Sequence, residues 1–163
     1  MISSAAIEPA PHVTVRQATL DDAETLAALL ADMDDEPPRD AMLDADGARQ
    51  IMDRMAAYPC FRAYLVFADG VAVGTFSILA FCSLTHEGAQ QAVLDAVVIG
   101  RACRGQGIGS AMLDHAVRIA GEAGCYKIAL SSNLKRMDAH RFYEKFGFKQ
   151  HGISLAVPVP KPA

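Results

Sequence analysis

Six consecutive residues, Arg104-Gly105-Gln106-Gly107-Ile108-Gly109, carry the densest chemical signal in the chain. Glycines at alternate positions permit a tight turn and close backbone approach, and a helix beginning behind them leaves its first N–H groups without intrahelical acceptors. Such amides, with the positive end of the helix and the fixed charge of Arg104 or Arg101, form a site for a phosphate or pyrophosphate. The helix dipole alone contributes only about 0.3–1 kcal/mol, so several N–H bonds must carry most of the affinity. A P-loop needs Lys and then Ser or Thr straight after its last glycine, whereas Ser110-Ala111-Met112 follows Gly109 here; nucleotide hydrolysis is disfavoured. A dinucleotide fingerprint, counted from Gly105 and Gly107, needs its third glycine where Ser110 stands, and the stretch lies far from the amino-terminal βα unit.

The other reactive side chains do not cluster. Cys60, Cys82, Cys103 and Cys125 have no zinc-type or dithiol spacing, and His12, His86, His115, His140 and His151 are equally scattered, so reduced thiols and no metal are expected. His115 and His140 fall in helical segments with no nucleophilic serine or cysteine beside them and read as surface. A formal net charge of −4 argues against nucleic acid or anionic lipid as partners. The start of the chain has no basic region followed by an apolar core, and no stretch approaches the roughly 20 apolar residues of a membrane span; the cytoplasm is the expected location.

Around the glycine stretch, the chain of 163 residues, 52% of them hydrophobic, reads as a flexible lead-in over 1–11 and a single domain over 12–163. Val13 to Arg16 alternates as a short strand, and Thr19 with Asp22 forms a capping box ahead of the stripe Ala23, Leu26, Ala27, Leu30 and Met33. A second helical stripe, Ile51, Met52 and Met55, must stop before Tyr58-Pro59. Phe61 to Phe67 and Val71 to Leu84 form a β-hairpin across Asp69-Gly70, and Gln91 to Ile99 is a strand that runs into the glycines. Met112, Leu113, Ala116, Val117 and Ala120 make a helix behind them, stopped by Gly121 and Gly124. A short strand at Tyr126 to Ser131, a helix at Asp138 to Lys145 and an extended end from Phe148 to Val159 complete the pattern.

Arg104, two residues, Gly107, one residue, Gly109 resembles the coenzyme A signature of the GNAT family of N-acetyltransferases. The resemblance is not confined to that signature: Val93 to Gly124 is similar to the family's strand-turn-helix core, Val13 to Asp22 to its first strand and helix entry, and Ala139 to Phe148 to its later helix. It implies an α/β fold with a mixed, mainly antiparallel sheet of about six to seven strands flanked by helices, with one central pair of strands splayed apart. It also implies an acetyl-CoA-dependent N-acetyltransferase acting on a primary amine by direct attack in a ternary complex, with a homodimer as the assembly the family suggests. The rival reading is a non-catalytic acyl-CoA-binding sensor or interaction module.

On the same resemblance, main-chain atoms of Val97, Val98 and Ile99 would bond the pantetheine arm, while Arg104, Gly105, Gln106, Gly107, Ile108, Gly109 and Ser110 would hold the pyrophosphate. Asn133, just past the next strand, would reach the coenzyme too. Tyr143 aligns with the tyrosine placed beside the coenzyme sulfur and would protonate the departing thiolate; Asp95 would accept the amine proton, with Glu87 or water as alternatives. The acids between Asp32 and Asp46 would attract a cationic acceptor such as a polyamine, an aminoglycoside or a basic peptide amine.

Overall fold

The computed structural model describes residues 10–33, 42–160 and 162, and the described residues fall into two compact units, one ending at Leu130 and the other beginning at Ser131. The first unit holds a sheet of five strands, β1 (Val13–Gln17), β2 (Phe61–Ala68), β3 (Val71–Cys82), β4 (Gln90–Ile99) and β5 (Ile128–Ala129), ordered as in the sequence. The first three junctions are antiparallel; β4 and β5 are parallel. Three helices belong to the same unit: α1 (Ala23–Leu30), α2 (Ala45–Ala56) and α3 (Ile108–Glu122).

Local chemistry accounts for each boundary. Asp69 and Gly70 both have positive φ, 48° and 82°, the geometry of a two-residue hairpin turn whose twist matches its strands. Ahead of α1 the Asp22 carboxylate accepts the Thr19 N–H at 2.8 Å and both Arg16 guanidinium nitrogens at 2.7 Å. Arg16 thereby holds the Asp22 carboxyl well below the usual carboxylate range. Asp44 caps α2 by accepting the Gly47 N–H at 2.7 Å. Past the end of α3, Gly124 takes φ 77° and lets the chain turn into β5.

Directly opposed residues share a face of the sheet, so the register sorts its side chains. Ala63, Leu65 and Phe67 of β2 lie on the face that α1 and α2 cover, packed with Ala18, Leu26, Leu29 and Met52. Tyr64, pointing the other way, is stacked on Phe76 at 5.1 Å, and its phenol is raised chiefly by burial, with the Glu122 carboxylate at the end of α3 adding to the effect. Helix α3 thus lies on that second face, burying Ile108, Met112, Leu113, Ala116 and Ala120.

Among the described residues the expected six to seven strands are five. The expected strand Tyr126 to Ser131 contracts to two residues, and Ile153, Leu155, Val157 and Val159 remain exposed in a terminal segment that forms no strand. Pro158 and Pro160 have no N–H to offer a ladder there. In the second unit, α4 (Met137–Phe146) ends at Gly147, φ 125°, where the N–H groups of Gly147 and Phe148 both donate to the Tyr143 carbonyl.

Candidate active site

In the first unit, the candidate site residues lie along the chain from β4 into α3. Ser77 of β3 faces Asp95, but Thr75 faces Val98, so two steps along β3 match three along β4 and one extra residue bulges out. Ala96 sits in that bulge at φ 50°, a left-handed conformation worth of order 1 kcal/mol of strain for a residue with a side chain. Beyond the bulge Gly74 faces Ile99, and a Cβ on Gly74 would come within 2.6 Å of the Ile99 Cδ1 and 2.7 Å of the Val98 carbonyl oxygen. Glycine is required there by the approach of the strands. The ladder between β4 and β5 covers only Ala92 with Ile128 and Val93 with Ala129, so from Leu94 onward the β5 side of β4 pairs with no strand among the described residues. Val97 and Ile99 are half-buried and Val98 is buried; their main chain runs along this unpaired edge.

The glycine turn follows. Gly105 and Gly107 have φ 78° and 81°, and a Cβ added at either would meet no atom of the protein within 4 Å. These positions are open toward solvent and need glycine for conformation, not for internal packing. The first bond of the α3 ladder runs from the Ala111 N–H to the Gly107 carbonyl, 3.2 Å, which leaves the N–H groups of Ile108, Gly109 and Ser110 ahead of it at the positive helix end. Ile108 anchors the helix by its buried side chain, while Gln106 donates to the Ala102 carbonyl at 3.2 Å. The turn has the bare amides and empty space that a pyrophosphate requires.

The arginine beside it also bonds the protein's own backbone. Arg104 donates from Nε to the Ile99 carbonyl and from a terminal nitrogen to the Asp32 carbonyl, both at 3.0 Å. The Asp32 carboxylate in turn accepts the Arg101 N–H at 3.0 Å. Arg104 and Asp32 therefore clamp the turn to the end of β4 and the end of α1. In the sequence Asp32 is one member of an acidic loop; of the others, Asp44 caps a helix and Asp46 pairs with Arg49, while Asp34, Asp35, Glu36 and Asp40 lie outside the described residues.

Asp95 is exposed, on the sheet face that α1 and α2 cover elsewhere, directly opposite Ser77. Glu87 is exposed at φ 57° in the loop between β3 and β4, where His86 also has positive φ. In the second unit Asn133 accepts the Lys135 N–H at 2.9 Å in the turn before α4. Tyr143 is half-buried on α4 with its ring 5.3 Å from Phe142 and 5.6 Å from Phe148, and burial pushes its phenol up, so it stays a proton donor at neutral pH. No group of three or more metal-ligating side chains and no helix long and apolar enough to cross a membrane occurs among the described residues.

The sequence model described as the acetyltransferase (GNAT) family matches residues 24–148. The aminoalkylphosphonate N-acetyltransferase of Salmonella typhimurium is 33% identical over 141 residues, which cover 86% of this chain and 87% of that protein. Among solved structures, a transcriptional regulator from Bacillus halodurans superposes with a TM-score of 0.80 at 30% identity, over 91% of this chain and 100% of that one. An aminoglycoside N-acetyltransferase solved in complex with CoA shares the fold at a TM-score of 0.75 and 14% identity, over 94% of this chain and 98% of that one.

Proposed function

Because the chain belongs to the acetyltransferase (GNAT) family, and so is an acetyl-CoA-dependent acyltransferase, we propose that its acceptor is the primary amine of a small molecule, acetylated by direct attack in a ternary complex. The observation that supports this reading most is the turn of Gly105 and Gly107, where open left-handed glycines and the unpaired amides of Ile108, Gly109 and Ser110 suit a diphosphate. The unpaired edge of β4 from Leu94 to Ile99 suits the amide-bearing arm of the same molecule, through main-chain bonds from Val97, Val98 and Ile99. Asn133 would add a polar contact to it.

Asp95 would accept a proton from the acceptor ammonium, directly or through one water, leaving the nitrogen lone pair to form the new N–C bond. As the C–S bond breaks, Tyr143 would give its phenolic proton to the departing thiolate and recover one from the nitrogen of the adduct, so that of the two protons the ammonium loses, one ends on the thiol and one on Asp95. The full-length relative named for aminoalkylphosphonates also acts on a small amine, which supports a small molecule over a protein acceptor. The test is an amine panel with acetyl-CoA read by free-thiol release, alongside Tyr143→Phe. Turnover that falls at least about tenfold in the variant with unchanged coenzyme affinity upholds the enzyme; coenzyme binding with no turnover on any amine would instead leave a sensor.

A further inference from the structure

The face of the sheet that carries Asp95 is covered unevenly. Helix α1 contacts β3 and β4, and α2 contacts β2, while toward the start of β4 Leu79, Gln91 and Val93 are only half-buried. There Leu79 faces Val93 and Phe81 faces Gln91, on the same side as the Ser77 and Asp95 pair. Phe81 is 37% exposed although it sits in a strand, and Tyr58, 60% exposed at the end of α2, meets Phe61 edge-on at 6.3 Å along the border of this window. One end of the window thus holds the exposed Asp95 carboxylate above the buried Ser77, and the remainder is apolar and aromatic.

Its charge is equally uneven. The five strands contain only two cations, Arg16 and Arg62. Arg16 shares the face but is locked on Asp22 and stacked over Phe67 at 5.1 Å. Arg62 points to the opposite face and donates to the carbonyls of Tyr58 and Phe61. An acceptor bearing a phosphonate, phosphate or carboxylate would meet Asp95 with no strand cation to offset the repulsion.

We propose that the acceptor is a primary amine on a compact aromatic or apolar body with no acidic group, its nitrogen at the exposed Asp95 and its body on Leu79, Val93 and Phe81. The inference rests on the N-acetyltransferase reading above. Residues two apart on one strand face are separated by roughly 7 Å, so a ring joined to the amine by two carbons reaches from the polar row to the apolar one. This acceptor differs in charge from that of the aminoalkylphosphonate relative.

A matched set tests it: 2-phenylethylamine, 2-aminoethylphosphonate and ethylamine, each with acetyl-CoA, compared by kcat/KM. The expected order places 2-phenylethylamine at least about tenfold above 2-aminoethylphosphonate, with Phe81→Ala lowering the ratio of 2-phenylethylamine to ethylamine several-fold, the worth of about one aromatic contact. Gln91→Arg, which adds a cation to the window, should move preference toward the phosphonate. A phosphonate turned over as well as or better than 2-phenylethylamine, or a ratio indifferent to Phe81→Ala, overturns the acceptor class while leaving the acetyltransferase intact. If no amine is turned over although coenzyme A binds, the enzymatic reading fails and this inference falls with it.

Discussion

The glycine turn and the Asp95 window lie at opposite ends of the usable part of β4, and they recognise by different means. The turn offers backbone: three helix-start amides and two glycines around which an added Cβ would touch nothing. The window offers side chains, an exposed carboxylate on β4 with half-buried apolar residues beside it and an aromatic border. Backbone amides suit any diphosphate, because their positions depend on conformation and not on residue identity. Side chains on a sheet face are free to vary without disturbing the ladder beneath them. On the proposed function, one region would serve the shared coenzyme and the other the particular acceptor.

The strongest way to break this division is Asp95→Asn. It should lower kcat/KM for the amine by about 10²–10⁴ while coenzyme affinity, measured by calorimetry, stays unchanged; equal loss of both would mean that the two ends are not separable. Next comes Gly107→Val, expected to weaken coenzyme binding about 10–100-fold through lost amide contacts to a charged group. The same variant should cost about 1–2 kcal/mol in chemical denaturation, from a β-branched residue held at positive φ. Gly74→Ala probes the hinge between the regions: its Cβ collides with the Val98 carbonyl and Ile99, so about 1–3 kcal/mol of stability should be lost before any ligand is added.

The smallest effect concerns the cation withheld from the window. The Asp22 carboxyl is depressed by its bond to Arg16, so the folded form binds its proton less readily than the unfolded chain does. The stabilisation is fully present above the unfolded value of about 4 and is lost as pH falls below it toward the folded value. Urea midpoints between pH 7 and pH 3 should therefore decline less steeply for Asp22→Asn than for the parent. An identical slope in both would show that the pair has no such linkage.

Much of this was legible in the residues. The hairpin at Asp69-Gly70, the helix end at Gly124 and the turn at Gly105 and Gly107 are set by local conformational demand, which glycine and short polar side chains announce. Gly74 also gave a signal, since an isolated glycine in a strand often marks close backbone approach. Ala96 gave none: alanine does not advertise a positive φ, and the bulge exists because the strand register on either side of it differs by one residue. Arg104 carries a part the sequence did not announce, in that its donors engage carbonyls 5 and 72 residues away in the chain.

What the sequence determined by itself is the coenzyme half of the protein: order of elements, family and glycine turn, because each depends on contacts among residues close in the chain. Only the tertiary structure decided which side chains face Asp95. Ser77, Leu79 and Phe81 join it through a strand register that also depends on a one-residue bulge, and a single step of register would turn every one of them to the other face.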